Sequence, residues 1–237
     1  MSGDAVRDPY AGPFDALPWP TRLQARVVTP GPAPRVHGYD VEGDLAPNAY
    51  RFSELVLLSL TGELPSEQQA KAFDVALVFL APIAVHDAPA HAAVLARICG
   101  GKPGAVVSTA AIGLGELARF TLEEHASLLA WLTDGATSAP PDNALARDHD
   151  DRASTARLRA ALRSTGLDVP ALAHDLARVP ALLVALHACG LRRAEQLEVA
   201  MTVARLATTA AEGLAAKPAG FKEYPLGLPP FRYVEDP

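Results

Sequence analysis

Apolar residues recur at spacings of three and four along most of this chain and almost nowhere alternate with period two, the signature of helices that each bury one face. The densest stretch, Gly38 to Gly113, reads as four helices in close succession. Asn48 to Thr61 carries Tyr50, Leu55 and Leu58, and Gly62 supplies a stop. Pro65-Ser66 with Gln69 is a capping-box start for the second helix, apolar at Ala70, Phe73, Leu77 and Leu80. A third helix spans roughly Ala90 to Cys99. After the Gly100-Gly101 break a small-residue helix runs from about Pro103 to Leu117. A chain of 237 residues, 49% hydrophobic and only 6% aromatic, can bury roughly 70% of its unfolded surface without disulfides or metals to staple it. The fold class expected is all-α.

The second half continues the pattern. Thr121-Leu122-Glu123-Glu124 predicts a capping box opening a helix to about Leu132. Asp134 to Asp151, with a Pro pair and clustered aspartates, reads as a loop. Helices then resume at Arg152–Ser164, Val169–Val179, Pro180–Cys189 and Arg193–Ala216, the last with Leu197, Ala200, Ala204, Ala207, Ala211 and Leu214 on one small-residue face. Met1 to Arg35 is too rich in Pro and Gly for helix and reads as an extended arm. It is either a loose tail or an arm anchored on a partner subunit by Phe14, Leu17 and Trp19. A short extended segment follows at Val36 to Val41. The segment after Lys217 is again proline-broken, yet carries Phe221, Tyr224, Leu226, Phe231 and Tyr233, which need a surface to pack on.

A net charge of −6 with no basic face gives a phosphate backbone little to hold, so nucleic acid is not an expected partner. Cys99 and Cys189 lie in apolar helical surroundings and read as buried free thiols of a reducing compartment. The N-terminus has no basic region followed by an apolar stretch, and no uninterrupted apolar run reaches membrane-spanning length. A soluble cytoplasmic protein, without membrane contact, is expected.

Several words between Gly38 and Gly113 resemble the citrate synthase family, in the part of its large domain that leads into the active site. They are Gly38-Tyr39-Asp40 with Asp44-Leu45, Phe52-Ser53-Glu54-Leu55-Val56, Leu60-Thr61-Gly62-Glu63-Leu64-Pro65, His86-Asp87, and the small-residue helix Ala105 to Gly113. The resemblance implies a citrate synthase-like large helical domain and a dimer with an acyl-CoA, such as acetyl-CoA, as substrate rather than any resident cofactor. It divides the chain into an arm at 1–35, large-domain helices at 36–133, a reduced small-domain region at 134–190, and a large-domain helix with tail at 191–237.

The family's chemistry deprotonates a methyl group with a carboxylate while a His donor stabilises the enol and a second His polarises a ketone, all in a closed, dry site. This chain departs from the words that carry it. The His-Gly-Gly turn after the Ile-Gly-x-Leu helix is replaced by sequence that puts Phe120 there, and nothing from Asp134 to Asp151 resembles the Gly-x-Gly-His segment. The place of the catalytic Asp reads Ala177-Arg178-Val179-Pro180. Three substrate-binding positions remain by resemblance: His86; Arg205 in Val203-Ala204-Arg205-Leu206-Ala207; and Arg152 in Asp150-Asp151-Arg152-Ala153. His86 reads equally as a helix-end residue satisfying local backbone, whereas a charge inside an alanine-rich helix calls for an anionic partner at Arg205.

The reading is a degenerate member that binds a di- or tricarboxylate, as a homodimer with its helices in a two-layer sandwich, without normal citrate synthesis and with no metal. One rival is an acyl-CoA bond-forming or cleaving enzyme of citrate synthase or citryl-CoA lyase type that uses His91, His125, Asp148 or His149 as substitutes. A second is a structural subunit pairing with a complete paralogue.

Overall fold

The computed structural model describes residues 25–219. Phe14, Leu17 and Trp19 of the arm and the aromatic residues of the tail lie outside them. The chain divides into two compact units, Met1–Ala49 and Tyr50–Pro237.

In the first unit, three two-residue strands pair antiparallel: β1 (Val28–Thr29), β2 (Arg35–Val36) and β3 (Tyr39–Asp40). The β2–β3 connection is His37-Gly38 with φ of 47° and 87°, the two positive values that a tight hairpin turn requires and that Gly38 takes without strain. Asp40 then caps a helical turn, Val41–Leu45, its Oδ1 accepting from the Glu42 and Gly43 amides at 3.1 and 2.7 Å.

Among the described residues the second unit contains eight α-helices: α1 (Phe52–Thr61), α2 (Glu67–Leu80), α3 (Ala88–Ile98), α4 (Pro103–Glu124), α5 (Ala126–Thr133), α6 (His149–Arg163), α7 (Arg178–Ala188) and α8 (Ala194–Ala215). The class is all-α, as the periodicity predicts. The capping box at the start of α2 forms in both directions. The Gln69 amide donates to Ser66 Oγ at 3.2 Å, and Gln69 Oε1 accepts from the Ser66 amide at 2.9 Å. Ser66→Ala leaves that first-turn amide unpaired and is expected to lower stability by about 1 kcal/mol, read as a drop in urea midpoint at unchanged m.

α7 is the centre of the main core. Pro180 through Leu186 are all buried, so the helix is surrounded rather than amphipathic. α2, α5, α6 and the first half of α8 pack around it, with Phe73, Leu128, Leu158, Leu176 and Leu197 among the side chains they bury. A second packing group joins α3, α4 and the far half of α8 through Ala93, Val106 and Ala110. At the end of α7, burial and then the Arg192 guanidinium pull the His187 imidazole below its ordinary value of 6.5. Between the two values the unfolded chain holds more protons. This group's contribution to stability is therefore complete above pH 6.5 and is lost as pH falls toward the folded pKa. His187→Gln is expected to flatten the fall of the urea midpoint as the pH drops below the ordinary imidazole value.

Four local expectations are corrected. The helix predicted from Asn48 begins at Phe52, because Ala49 holds a positive φ of 60° and Glu54 reaches back to the Arg51 amide at 2.7 Å. Thr121 opens no helix: with no Gly or Pro between Leu117 and Thr121, α4 runs through it, and its hydroxyl donates back to the Leu117 carbonyl at 2.7 Å. Residues 169–179 are not one helix. Pro170–Ala173 form a single tight turn, after which Leu176 bridges Leu145 and its carbonyl accepts from Thr155 at 2.9 Å, holding the backbone extended. On α8, Leu197 and Ala200 are buried as predicted, but beyond them the inward face is Thr209, Ala210 and Gly213, while Leu214 is 39% exposed.

Two further corrections concern burial and length. Cys189 is buried, and burial pushes its thiol up to about 12. Cys99, at the end of α3, is exposed. α4 is also longer than expected, and by length and composition it is apolar enough to cross a membrane. Here it buries every fourth residue, Val106, Ala110, Leu114, Ala118 and Leu122, and packs on α3 and α8.

Candidate functional site

α2 stops at Leu80 because Pro82 cannot continue it, leaving its last carbonyls without intrahelical donors. Three side chains from elsewhere take them. Arg178 Nη2 donates to the Phe79 carbonyl at 3.0 Å, Arg205 Nε to the Leu80 carbonyl at 3.0 Å, and Thr208 Oγ1 to the Ala81 carbonyl at 2.7 Å. Two guanidinium groups thus meet the negative end of one helix dipole, a favourable placement for cations.

Arg205 is half-buried. Its guanidinium is pulled below the ordinary value first by burial and then by Arg178, with Asp87 opposing. Among the described residues no carboxylate forms an ion pair with it, and the Leu80 carbonyl is its only hydrogen-bond acceptor for the side chain. It opens on a cleft of about 760 Å³ between the α2–α3 connection, the start of α3, the second half of α4, the start of α7 and α8. Asp87, Glu116, Arg119, Phe120 and Val179 line the same cleft. Asp87 Oδ2 accepts from the Ala84 amide at 3.1 Å, and Arg119 bonds Glu116 and Glu123, each at 2.6 Å.

The predicted site residues are not all brought together. Arg205 is in the cleft. His86 is beside it in sequence but its side chain is 84% exposed, with Nε2 3.8 Å from Asp87 Oδ1. Arg152 lies on α6, where its Nε donates to Asp175 Oδ2 at 2.8 Å and Nη2 to the Ala146 carbonyl at 3.2 Å. None of His91, His125, Asp148 and His149 lines the cleft. His91 is exposed. Asp148 caps α6, accepting from the Asp151 amide at 2.8 Å, and the His149 side chain is 93% exposed. His125 is half-buried at the α4–α5 junction, and its Nδ1 has no partner among the described residues.

Glu116 and Arg119 carried no sequence signal for this cleft. They sit on what reads as the solvated face of α4, and only the approach of α2, α7 and α8 makes that face one wall of a hollow. By contrast, Phe120 and Val179, which the resemblance put in two separate catalytic words, do come together beside Arg205.

This arrangement of helices is the citryl-CoA lyase type of all-α, citrate synthase-like fold. The chain is similar in structure to citryl-CoA lyase from Hydrogenobacter thermophilus, with a TM-score of 0.62 at 17% identity over 91% of this chain and 97% of that one. It is also similar to ATP citrate lyase from Methanothrix soehngenii, solved in complex with citrate and coenzyme A, with a TM-score of 0.51 at 12% identity. That match covers 90% of this chain and 42% of the lyase. No protein-family model and no curated protein matches the sequence.

Proposed function

We propose that the chain binds a di- or tricarboxylate of the citrate or oxaloacetate kind in the Arg205 cleft and does not make citrate by the citrate synthase route. The observation that carries this reading is Arg205 itself. It is a half-buried cation whose side chain bonds only one carbonyl among the described residues and faces a cleft large enough for such a ligand. A buried guanidinium without a carboxylate recovers its desolvation cost when an anion arrives, and its planar fork suits carboxylate geometry. Asp87, Phe120 and Val179 beside it come from three segments that the resemblance assigned to the active site. The citrate held by the Methanothrix lyase supports a ligand of this class.

Loss of citrate synthesis follows from the same wall. Phe120 stands where the resemblance seeks the enol donor, and an aromatic ring donates no hydrogen bond. Where it seeks the base, Val179 faces the cleft and Arg178 is committed to the Phe79 carbonyl. Removal of a donor and a base together costs several kcal/mol of transition-state stabilisation. The protein is read as a cytoplasmic homodimer. Val107 and Ile112 of α4 and Val199 and Leu214 of α8 are exposed on two helices that pack side by side, and Ile112 is 70% exposed.

A second reading, bond cleavage or formation on an acyl-CoA, draws support from the carboxylates Asp87 and Glu116 in the cleft. Calorimetric titration with citrate, oxaloacetate and coenzyme A decides between them. Saturable heat with a carboxylate alone supports the binding role, and CoA-dependent turnover abolished by Asp87→Asn or Glu116→Gln would replace it with the enzymatic one. No heat with any of the three would leave neither standing.

A further inference from the structure

A second hollow, of about 360 Å³, lies at the far end of α7 from the Arg205 cleft and shares no lining residue with it. Three nitrogen-bearing side chains from three elements line it: His187 from the last turn of α7, Arg192 from the α7–α8 turn, and His174 from the segment after the Pro170–Ala173 turn. None of the three side chains makes a hydrogen bond among the described residues. The two imidazoles are nevertheless held in place. The His174 ring sits edge-on to Trp131 with centroids 5.6 Å apart, and its carbonyl accepts from Arg159 Nη2 at 3.1 Å. His187 is carried by a helix whose preceding seven residues are buried. The rest of the wall is largely apolar, with Leu132, Val169 and Val184, and Asp168 is its one carboxylate.

Held imidazoles and a guanidinium without acceptors, arranged around apolar surface, form a receptor for an anion that has a hydrocarbon body. We propose that this hollow binds a small organic anion. Arg192 and His187 take its carboxylate or phosphate head, and Leu132, Val169 and Val184 cover its carbon chain. The site is separate from the Arg205 cleft, so one can fail without the other. Burial now depresses His187, and a bound anion beside it would favour the charged imidazole and strengthen the contact.

The test is a titration of the imidazole proton resonances of His174 and His187 with glutarate, butyl phosphate and inorganic phosphate, on wild type, Arg192→Ala and Arg205→Ala. Arg192 is exposed, so its truncation leaves the fold intact. Saturable shifts of both resonances are expected with glutarate or butyl phosphate at millimolar concentration, and whichever saturates first identifies the head group. Arg192→Ala should weaken them by roughly tenfold or more, the loss of a charge-assisted contact, and Arg205→Ala should leave them unchanged. The proposal is overturned if no resonance saturates, or if Arg192→Ala has no effect. It is equally overturned if Arg205→Ala abolishes the shifts, or if inorganic phosphate saturates as readily as butyl phosphate, since the carbon chain then contributes nothing.

Discussion

Arg205→Ala is expected to weaken citrate binding by about 2 kcal/mol, roughly thirty-fold in Kd, because it removes hydrogen bonds to a charged group in a partly desolvated site. The same side chain also closes the end of α2 through the Leu80 carbonyl. Affinity lost through disorder of that helix end has to be told apart from affinity lost through the missing charge. Thr208→Ala makes the distinction: its hydroxyl closes the adjacent Ala81 carbonyl at 2.7 Å but brings no charge. Both variants should lose about 1 kcal/mol of stability or less, the worth of one net hydrogen bond. Only the arginine variant should lose the ligand. Equal loss of affinity in the two would assign Arg205 a capping role and remove the main support for a carboxylate site. Arg205→Lys should recover part of the affinity, since the charge remains while the bidentate fork is gone.

Gly213→Ala should destabilise the protein, although alanine is the better helix former by about 1 kcal/mol. A Cβ at Gly213 would stand 2.7 Å from Val106 Cγ1 and 3.1 Å from both the carbonyl carbon and the Cβ of Ala93. This is where α8 crosses α3 and α4. Val106 is β-branched with few rotamers to retreat to, and the Ala93 carbon is backbone, so the helices themselves must separate. Overpacking of this kind costs about 1–3 kcal/mol, and Gly213→Val should cost more still. Gly115 is the matched control on α4: its Cβ would meet nothing closer than Glu198 Oε1 at 4.0 Å. Gly115→Ala should therefore raise the urea midpoint while Gly213→Ala lowers it. A rise in both would mean that the α3–α4–α8 contact is looser than the packing described above.

The residues that were most legible in the sequence are those whose physics is local. Ser66 and Gln69 form their capping box because the two partners are three residues apart, and Gly62, at φ 84°, ends α1 because its positive φ follows from the residue type. Gly38 and Asp40 belong to the words that carry the family resemblance, yet the turn and the cap they form break what reads as one extended segment from Val36 to Val41. Local cues misled where a competing element decided the outcome. Thr121 has the residues of a helix start but no break before it, and residues 169–179 have helical composition but are interrupted at Leu176, whose backbone Leu145 and Thr155 hold extended.

The candidate site was half legible. Arg205 drew attention because a charge in an alanine-rich helix is costly, and Phe120 and Val179 stood at recognisable positions of a family pattern. The resemblance also offered Arg152, which the fold commits to Asp175, and His86, which it leaves on the surface. Periodicity, turn residues and caps determined the all-α character, because each depends on neighbours a few residues apart. Which arginine faces a cleft was decided by the tertiary structure alone. It depends on α2, α3, α4, α7 and α8 converging from distant parts of the chain, and on burial stripping water from one guanidinium while others stay hydrated.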